Sequence, residues 1–171
     1  MNNRSAAYLV LDDGRIFEGF SWAQIGETFG EAVFSTGMTG YQETLTDPSY
    51  HKQIVVMTAP HIGNTGMNKN DEESKKIWVS GFVVRNPSPI SSNWRSEKSL
   101  EQELIDYKVV GIQGIDTRAL TRHLRDRGAM RVGIFSDTKL TREEMVTKVR
   151  KTTSMSGAFL AADVTTKEPY V

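Results

Sequence analysis

Short apolar runs rich in Val, Ile and Phe recur along this chain, and in its second half segments with helical spacing separate them. Each run is short and bounded by Gly, Pro or Asp, as is typical of β-strands. We predict strands at residues 32–34, 54–58, 77–84, 109–111 and 130–135. The alternation of such strands with helices indicates an α/β domain.

The first twenty residues have the pattern of a β-hairpin. Residues 7–11 and 16–20 are strand-like, and the DDGR segment between them supplies the Asp-Gly pair that suits a tight turn. Asp12 and Asp13 could also form an acid–base couple. We favour the turn, because turn chemistry accounts for both residues.

Three helices are predicted from residues that can cap them. The N-caps are Ser96 or Ser99 for a helix to about Tyr107, Asp116 for a helix that stops at Gly128, and Thr141 for a third helix. The last begins with TREE, which is a capping box. Residues 71–76 place acids before lysines, and we interpret them as a solvated helix start.

A polar segment of unusual composition lies between two of the predicted strands. Residues 35–50 read STGMTGYQETLTDPSY, which is too polar and turn-rich for a core strand. We therefore predict a built loop, presented by a sheet in the way that binding groups often are.

Three segments together resemble one protein family. They are residues 35–50, residues 59–66 (APHIGNTG) and residues 114–129 (GIDTRALTRHLRDRGA). Their order and spacing are similar to those of the N-terminal domain of the small chain of glutamine-dependent carbamoyl phosphate synthetase. The resemblance implies a three-layer, swivelling β/β/α domain with mixed sheets and about three helices.

The resemblance also implies a role within a larger enzyme. A complete small chain carries a C-terminal amidotransferase domain that hydrolyses L-glutamine, and it passes ammonia to a large chain that makes carbamoyl phosphate from bicarbonate and ATP for arginine and pyrimidine synthesis. We expect residues 1–151 to form the N-terminal domain and residues 152–171 to lead toward the amidotransferase domain. The expected partners are the large chain, that domain and L-glutamine, while ATP and a divalent metal are expected on the large chain and no cofactor on this one.

Composition excludes several classes of function. The chain has 171 residues and no cysteine, so it offers no thiol nucleophile and no thiolate metal site. Its 21 basic residues balance its 21 acidic residues, which argues against a nucleic-acid partner. No apolar run is long enough for a membrane span, and the start does not resemble a signal peptide. We expect a cytoplasmic protein with no membrane partner.

Ser49 is the residue that the resemblance assigns to substrate. The family's TDPS motif, here residues 46–49, places its serine against the glutamine pocket of the amidotransferase domain, and Pro48 restricts the backbone before it. From local sequence alone, a plain turn or cap residue is an equally good interpretation. No catalytic residue and no metal ligand are expected in this chain.

An arginine stripe is predicted on the second helix. At 100° per residue, Arg118, Arg122 and Arg125 lie within about 60° of one another, whereas Leu120 and Leu124 point to the opposite side. From the residues alone, a solvated face is the favoured interpretation of such a stripe. Because this helix belongs to the family's recognisable segments, a docking surface or an intramolecular brace is the competing interpretation.

Other motifs give weaker indications. The glycine pairs at residues 37–40 and 63–66 match neither common phosphate-loop pattern, so tight turns or close packing explain them better. Two rival functions remain open: a free-standing interaction module of the same fold, and a serine-dependent hydrolase built on His61 or His123. No G-x-S-x-G elbow supports the hydrolase.

Overall fold

The computed structural model describes residues 4–155 and 157–166. In this part of the chain the strands are β1 (Ala6–Leu11), β2 (Ile16–Ala23), β3 (Glu27–Ser35), β4 (Gln53–Met57), β5 (His61–Ile62), β6 (Gly81–Val84), β7 (Asn86–Pro87), β8 (Val110–Gln113) and β9 (Met130–Ser136). The helices are α1 (Tyr41–Thr46), α2 (Leu100–Asp106), α3 (Thr117–Arg127), α4 (Arg142–Lys151) and α5 (Ala161–Val164), with a 3-10 turn at Pro48–Tyr50. None of these helices has the length and apolar character needed to cross a bilayer.

Seven strands close into a barrel in the order β1-β2-β8-β6-β4-β3-β9, and β9 pairs back with β1. The pairs β3/β4, β4/β6 and β6/β8 are parallel, and the pairs that contain β1, β2 or β9 are antiparallel. Strands β5 and β7 form a separate small parallel sheet. The predicted mixed α/β class is confirmed, and the three-layer swivelling arrangement stays a prediction.

The barrel interior is filled by alternate apolar residues from all seven strands, among them Leu9, Ile54 and Ile134. This pattern follows from the two-residue period of a strand, which sends successive side chains to opposite faces. Leu120 and Leu124 of α3 join the same cluster. The outward apolar face of β4 and β6 packs instead against α1 and α2 in a second cluster. Helix α3 is therefore fixed to the barrel by its leucine side.

The three predicted helices are present, and each begins after one of its predicted capping residues. The Ser99 hydroxyl accepts from the backbone N–H of Gln102 at 3.2 Å, so Ser99 and not Ser96 caps α2. Asp116 caps α3, and Thr141 with Glu144 forms the capping box of α4. These local hydrogen bonds satisfy donors that have no partner within the helix.

Several boundaries differ from those predicted. Residues 35–50 are not simply a loop, because they contain α1 and the 3-10 turn. Strand β6 begins at Gly81 rather than at residue 77, and β3 begins at Glu27 rather than at residue 32. Residues 152–171, predicted as a tail, include α5, while residues 156 and 167–171 lie outside the described part.

The helix start predicted at residues 71–76 is wrong. The segment is irregular, and its first carboxylate is used elsewhere. Asp71 accepts from the Asn68 amide at 2.8 Å and from the Arg95 guanidinium at 2.6 Å, and these bonds lower the pKa of Asp71. The bonds of the acid to Asn68 and to the distant Arg95 therefore outweigh a weak preference for a helix start.

Candidate functional site

Ser49 lies in the middle of the 3-10 turn that joins α1 to β4. Asp47 caps this turn, since its carboxylate accepts from the Ser49 backbone N–H at 2.8 Å. The Tyr50 N–H donates to the Asp47 carbonyl at 3.1 Å, and the His51 N–H donates to the Pro48 carbonyl at 3.1 Å. The backbone of the turn is thus held by its own bonds.

The Ser49 side chain is not used by this turn. Ser49 is exposed, and its hydroxyl makes no hydrogen bond to any residue that the structure describes. The capping function belongs to Asp47, so the cap interpretation of Ser49 is not what the geometry favours. An exposed hydroxyl on a restrained turn can accept or donate a bond to a ligand.

A buried polar clasp joins α1 to residues 65–68. Gln42 of α1 is 4% exposed, and its side-chain oxygen accepts from the Asn68 backbone N–H at 3.0 Å while its amide nitrogen donates to the Asn68 carbonyl. Nearby, the Tyr41 hydroxyl donates to the Gly66 carbonyl at 2.6 Å and contacts the Thr65 hydroxyl at 2.7 Å. Burial raises the pKa of Tyr41 above its ordinary value. Residues 35–50 and 59–68 therefore form one unit.

The two glycine pairs have the packing role that we favoured. Gly40 has a φ of 76° and precedes α1, and Gly66 has a φ of 70°. A Cβ at Gly66 would lie 2.0 Å from the Ser96 hydroxyl. Left-handed backbone and close packing, rather than phosphate contacts, require glycine at these positions.

A second contact holds the far side of the turn. One carboxylate oxygen of Asp163, in α5, accepts from the Lys52 ammonium at 3.1 Å. The same oxygen lies 3.3 Å from the His51 Nε2. The His51 ring also meets the Trp78 ring edge-on, with centroids 5.3 Å apart. The hydrogen bonds from Lys52 and His51 lower the pKa of Asp163, so this acid is ionised at neutral pH.

The arginine stripe lines a cleft with a volume of about 750 Å³. Arg118, Arg122 and Arg125 are exposed there, as predicted, while Leu120 and Leu124 are buried. Arg85 was not predicted, and it joins them from the end of β6. We call these four residues and the space between them the arginine cleft.

Parallel strands explain why the arginine cleft forms where it does. Thr58 follows β4, Arg85 follows β6, and α3 begins soon after β8. Because these three strands are parallel neighbours, their carboxyl ends meet at one edge of the sheet. Such an edge is a common place for ligands in parallel sheets. The position of Arg85 directly after a predicted strand was the one sequence signal that could have identified it.

Few acids balance the charge of the arginine cleft. Arg85 has Asp116 at 3.9 Å, and Arg125 has Asp126 at 3.6 Å. For Arg118 and Arg122, no ion pair occurs among the described residues. The cleft therefore presents at least two guanidinium groups that can bind an external oxyanion, bidentately if it is a carboxylate.

The histidines do not assemble a serine hydrolase. His123 Nε2 lies 2.7 Å from an Asp13 carboxylate oxygen, and its Nδ1 accepts from Arg15 at 3.3 Å. With both ring nitrogens occupied, His123 has no free atom to act as a base toward a serine. His61 is exposed on β5, and no serine bonds to its ring among the described residues.

The Asp12–Asp13 pair forms the predicted turn, but both acids have further partners. Asp13 accepts from the Arg15 backbone N–H at 2.9 Å, which closes the turn beside Gly14. Burial raises the pKa of Asp13, and the bonds from Arg15 and His123 outweigh burial, so the pKa is lowered overall. The Asp12 carboxylate pairs with Arg131 at 3.0 Å. These contacts are structural, and they leave no acid–base couple.

Comparison with known proteins gives consistent matches. Residues 9–134 match the model of the carbamoyl-phosphate synthase small chain, CPSase domain. The chain is 67% identical over 170 residues to the carbamoyl phosphate synthase small chain of Streptomyces coelicolor, covering 99% of this chain and 45% of that protein. It is 59% identical over 170 residues to the same protein of Mycobacterium tuberculosis, covering 98% and 45%. With the Corynebacterium diphtheriae protein, identity is 56% over 173 residues, covering 99% and 46%. The chain thus spans less than half the length of these curated relatives.

Proposed function

The chain belongs to the carbamoyl phosphate synthase small chain family and corresponds to the N-terminal domain of that subunit, and we propose that it serves there as a non-catalytic domain that completes the glutamine site. In this proposal the complete subunit hydrolyses glutamine and delivers ammonia to a large chain. The large chain joins that ammonia with bicarbonate and ATP. The setting would be cytoplasmic, and the family's three-layer description of this domain is part of the same proposal.

The exposed Ser49 hydroxyl on its restrained turn is the observation that most supports this role. Three hydrogen bonds donated by backbone N–H groups hold the turn, and the hydroxyl itself has no described partner. A group held in this way can bind a ligand with little loss of conformational entropy. We infer that Ser49 contacts glutamine, or the tetrahedral adduct derived from it, when the amidotransferase domain is in place.

Chemistry in this chain itself is not part of the proposal. Amidotransfer by this family proceeds through a thioester, and thioester formation needs a thiolate, which a chain without cysteine does not contain. The histidines do not provide a substitute, since His123 is occupied by Asp13 and Arg15. The domain therefore contributes binding and position, and the bond-breaking steps belong to the rest of the enzyme.

The arginine cleft supports a second part of the proposal, which is docking. Guanidinium groups without acids of their own favour an acidic neighbour, and burying such pairs at an interface gives specificity. We infer that the arginine cleft faces acidic residues of the large chain. The free-standing interaction module, our earlier alternative, would use the same surface with a different partner.

Replacement of Ser49 in the complete enzyme tests the glutamine contact. Ser49→Ala removes one neutral hydrogen bond, worth roughly 1 to 3 kcal/mol in a partly dry site. We expect the efficiency of glutamine-dependent synthesis to fall about ten- to two-hundredfold. Synthesis from added ammonia should be nearly unchanged, because free ammonia bypasses the glutamine site.

The two nitrogen sources make the result decisive. Equal losses with glutamine and with ammonia would indicate a folding or docking defect and would contradict the contact. No loss with either source would make Ser49 a plain turn residue. Ser92→Ala, at another exposed loop serine, is a matched control that should leave both activities unchanged.

A further inference from the structure

The Ser49 turn is held on its outer side by a residue more than a hundred positions away in sequence. Asp163 bonds to both residues that follow the turn, His51 at 3.3 Å and Lys52 at 3.1 Å. These contacts are additional to the bonds within the turn, which all come from residues 47–51. The segment that contains α5 therefore contacts the turn directly.

The Lys52 backbone shows why an outer contact matters. Lys52 has a φ of 62°, in the left-handed region that is unfavourable for a residue with a side chain. Such a conformation persists only where the surroundings impose it. Its ammonium is fixed by Asp163, and its carbonyl accepts from the Glu31 backbone N–H at 3.4 Å. Loss of Asp163 would remove one of these two constraints.

His51 links Asp163 to the backbone of the turn. Its ring contacts both the Asp163 carboxylate and the Trp78 ring, and only 21% of its side chain is exposed. The His51 backbone N–H donates to the Pro48 carbonyl, which closes the turn around Ser49. A shift of the His51 ring would therefore alter the direction of the Ser49 hydroxyl.

We propose that Asp163 is a positioning residue, which holds the Ser49 turn through His51 and Lys52 and so couples the segment around α5 to glutamine binding. The role of Asp163 rests on the glutamine contact proposed above for Ser49. Asp163 acts only through the turn, and it touches neither glutamine nor the reacting atoms. Its expected signature is an effect on glutamine use that depends on the presence of the Ser49 hydroxyl.

The test uses the complete small chain with its large partner. Asp163→Asn keeps the size of the side chain and removes its charge, and we expect glutamine-dependent efficiency to fall roughly two- to fivefold, as for a partly exposed ion pair. Asp163→Lys should cause a larger loss, because it places a second ammonium group beside Lys52 and removes the acceptor that His51 contacts. Neither change should affect synthesis from ammonia.

A double-mutant cycle separates positioning from a general structural effect. In a Ser49→Ala background, Asp163→Lys should cause little further loss, since the hydroxyl that it positions is already absent. Glu27→Lys is the matched control. It breaks a similar surface pair, with Lys148 at 2.9 Å, on strand β3 away from the turn. This control should leave glutamine use unchanged.

Amide hydrogen exchange provides a second readout that does not involve glutamine. The N–H groups of Tyr50 and His51 should exchange faster in the Asp163→Lys variant than in the Glu27→Lys variant. Additive losses in the cycle, or equal losses with both nitrogen sources, would overturn the positioning role. Normal glutamine use in Asp163→Lys together with an impaired Ser49→Ala would overturn it while leaving the proposed function intact. If Ser49→Ala itself has no effect, both proposals fail.

Discussion

The Gln42 clasp is predicted to be one of the strongest single contributions to the stability of this chain. Gln42→Leu keeps the volume of the side chain and removes both of its bonds to the Asn68 backbone. The Asn68 N–H and carbonyl would then lie without partners in a region where both residues are at least nine-tenths buried. Each orphaned buried group costs about 1 to 3 kcal/mol.

From these values for two groups we expect Gln42→Leu to lower the free energy of unfolding by about 2 to 6 kcal/mol. In a domain of this size that corresponds to a fall in Tm of roughly 4 to 24 °C. The measurement is thermal and urea unfolding of the 171-residue chain, followed by circular dichroism. Gln24→Leu is the matched control, because among the described residues the Gln24 amide bonds only to the neighbouring Ile25 carbonyl, at an exposed site.

A third variant tests the direction of the bonds. In Gln42→Glu a carboxylate oxygen would face the Asn68 carbonyl, so the ionised form is repelled, and the pKa of the new carboxyl should be raised in the folded state. The destabilisation is then present at neutral pH and lost as the pH falls through that raised pKa. A loss below about 0.5 kcal/mol for Gln42→Leu, equal to the loss for Gln24→Leu, would refute the reasoning.

Three further outcomes follow from the structure. The purified 171-residue chain should release no ammonia from glutamine, and release that scales with its concentration would contradict this. Charge reversal at Arg118, Arg122 and Arg125 together should weaken binding of the complete subunit to the large chain at least tenfold in a binding titration, with little change in Tm; unchanged affinity would indicate a solvated face. The lowered pKa of Asp13 stabilises the fold above the pKa of an unfolded aspartate, near 4, and this advantage is lost as the pH falls through the folded value. The difference in unfolding free energy between the native chain and Asp13→Asn should therefore shrink on acidification, and a constant difference would contradict it.

Features that depend on neighbouring residues could be predicted from the sequence. The caps at Ser99, Asp116 and Thr141 each bond to a backbone N–H three residues later, so a short stretch of sequence contains the whole interaction. The leucine and arginine faces of α3 follow from helical periodicity in the same way.

Features that depend on distant pairing could not be predicted. Closure of the barrel requires β1 to pair with β9, for example Ala7 with Ser136, and no local pattern specifies that partner. Helix α1 was missed because its six residues follow two glycines and include two threonines, so propensity favoured a loop; burial of Tyr41 and Leu45 stabilises it instead.

The same distinction between local and distant features applies to the candidate site. The Ser49 turn and the arginines of α3 come from contiguous motifs, and the sequence identified them. Arg85 joins the arginine cleft only because β6 lies beside β8, and Asp163 reaches the turn only through the folded chain. Asp163 had no local signal, and the position of Arg85 directly after a predicted strand becomes informative only once β6 and β8 are known to be neighbours.

The central claim is that this domain contributes the Ser49 hydroxyl to the glutamine site of the complete subunit. The most direct test is a crystal structure of the complete subunit with bound glutamine, in a variant that lacks the amidotransferase nucleophile. The proposal predicts that the Ser49 Oγ lies within about 2.6 to 3.2 Å of a polar atom of glutamine. A Ser49 Oγ more than about 5 Å from every atom of glutamine, too far even for one bridging water, would contradict it.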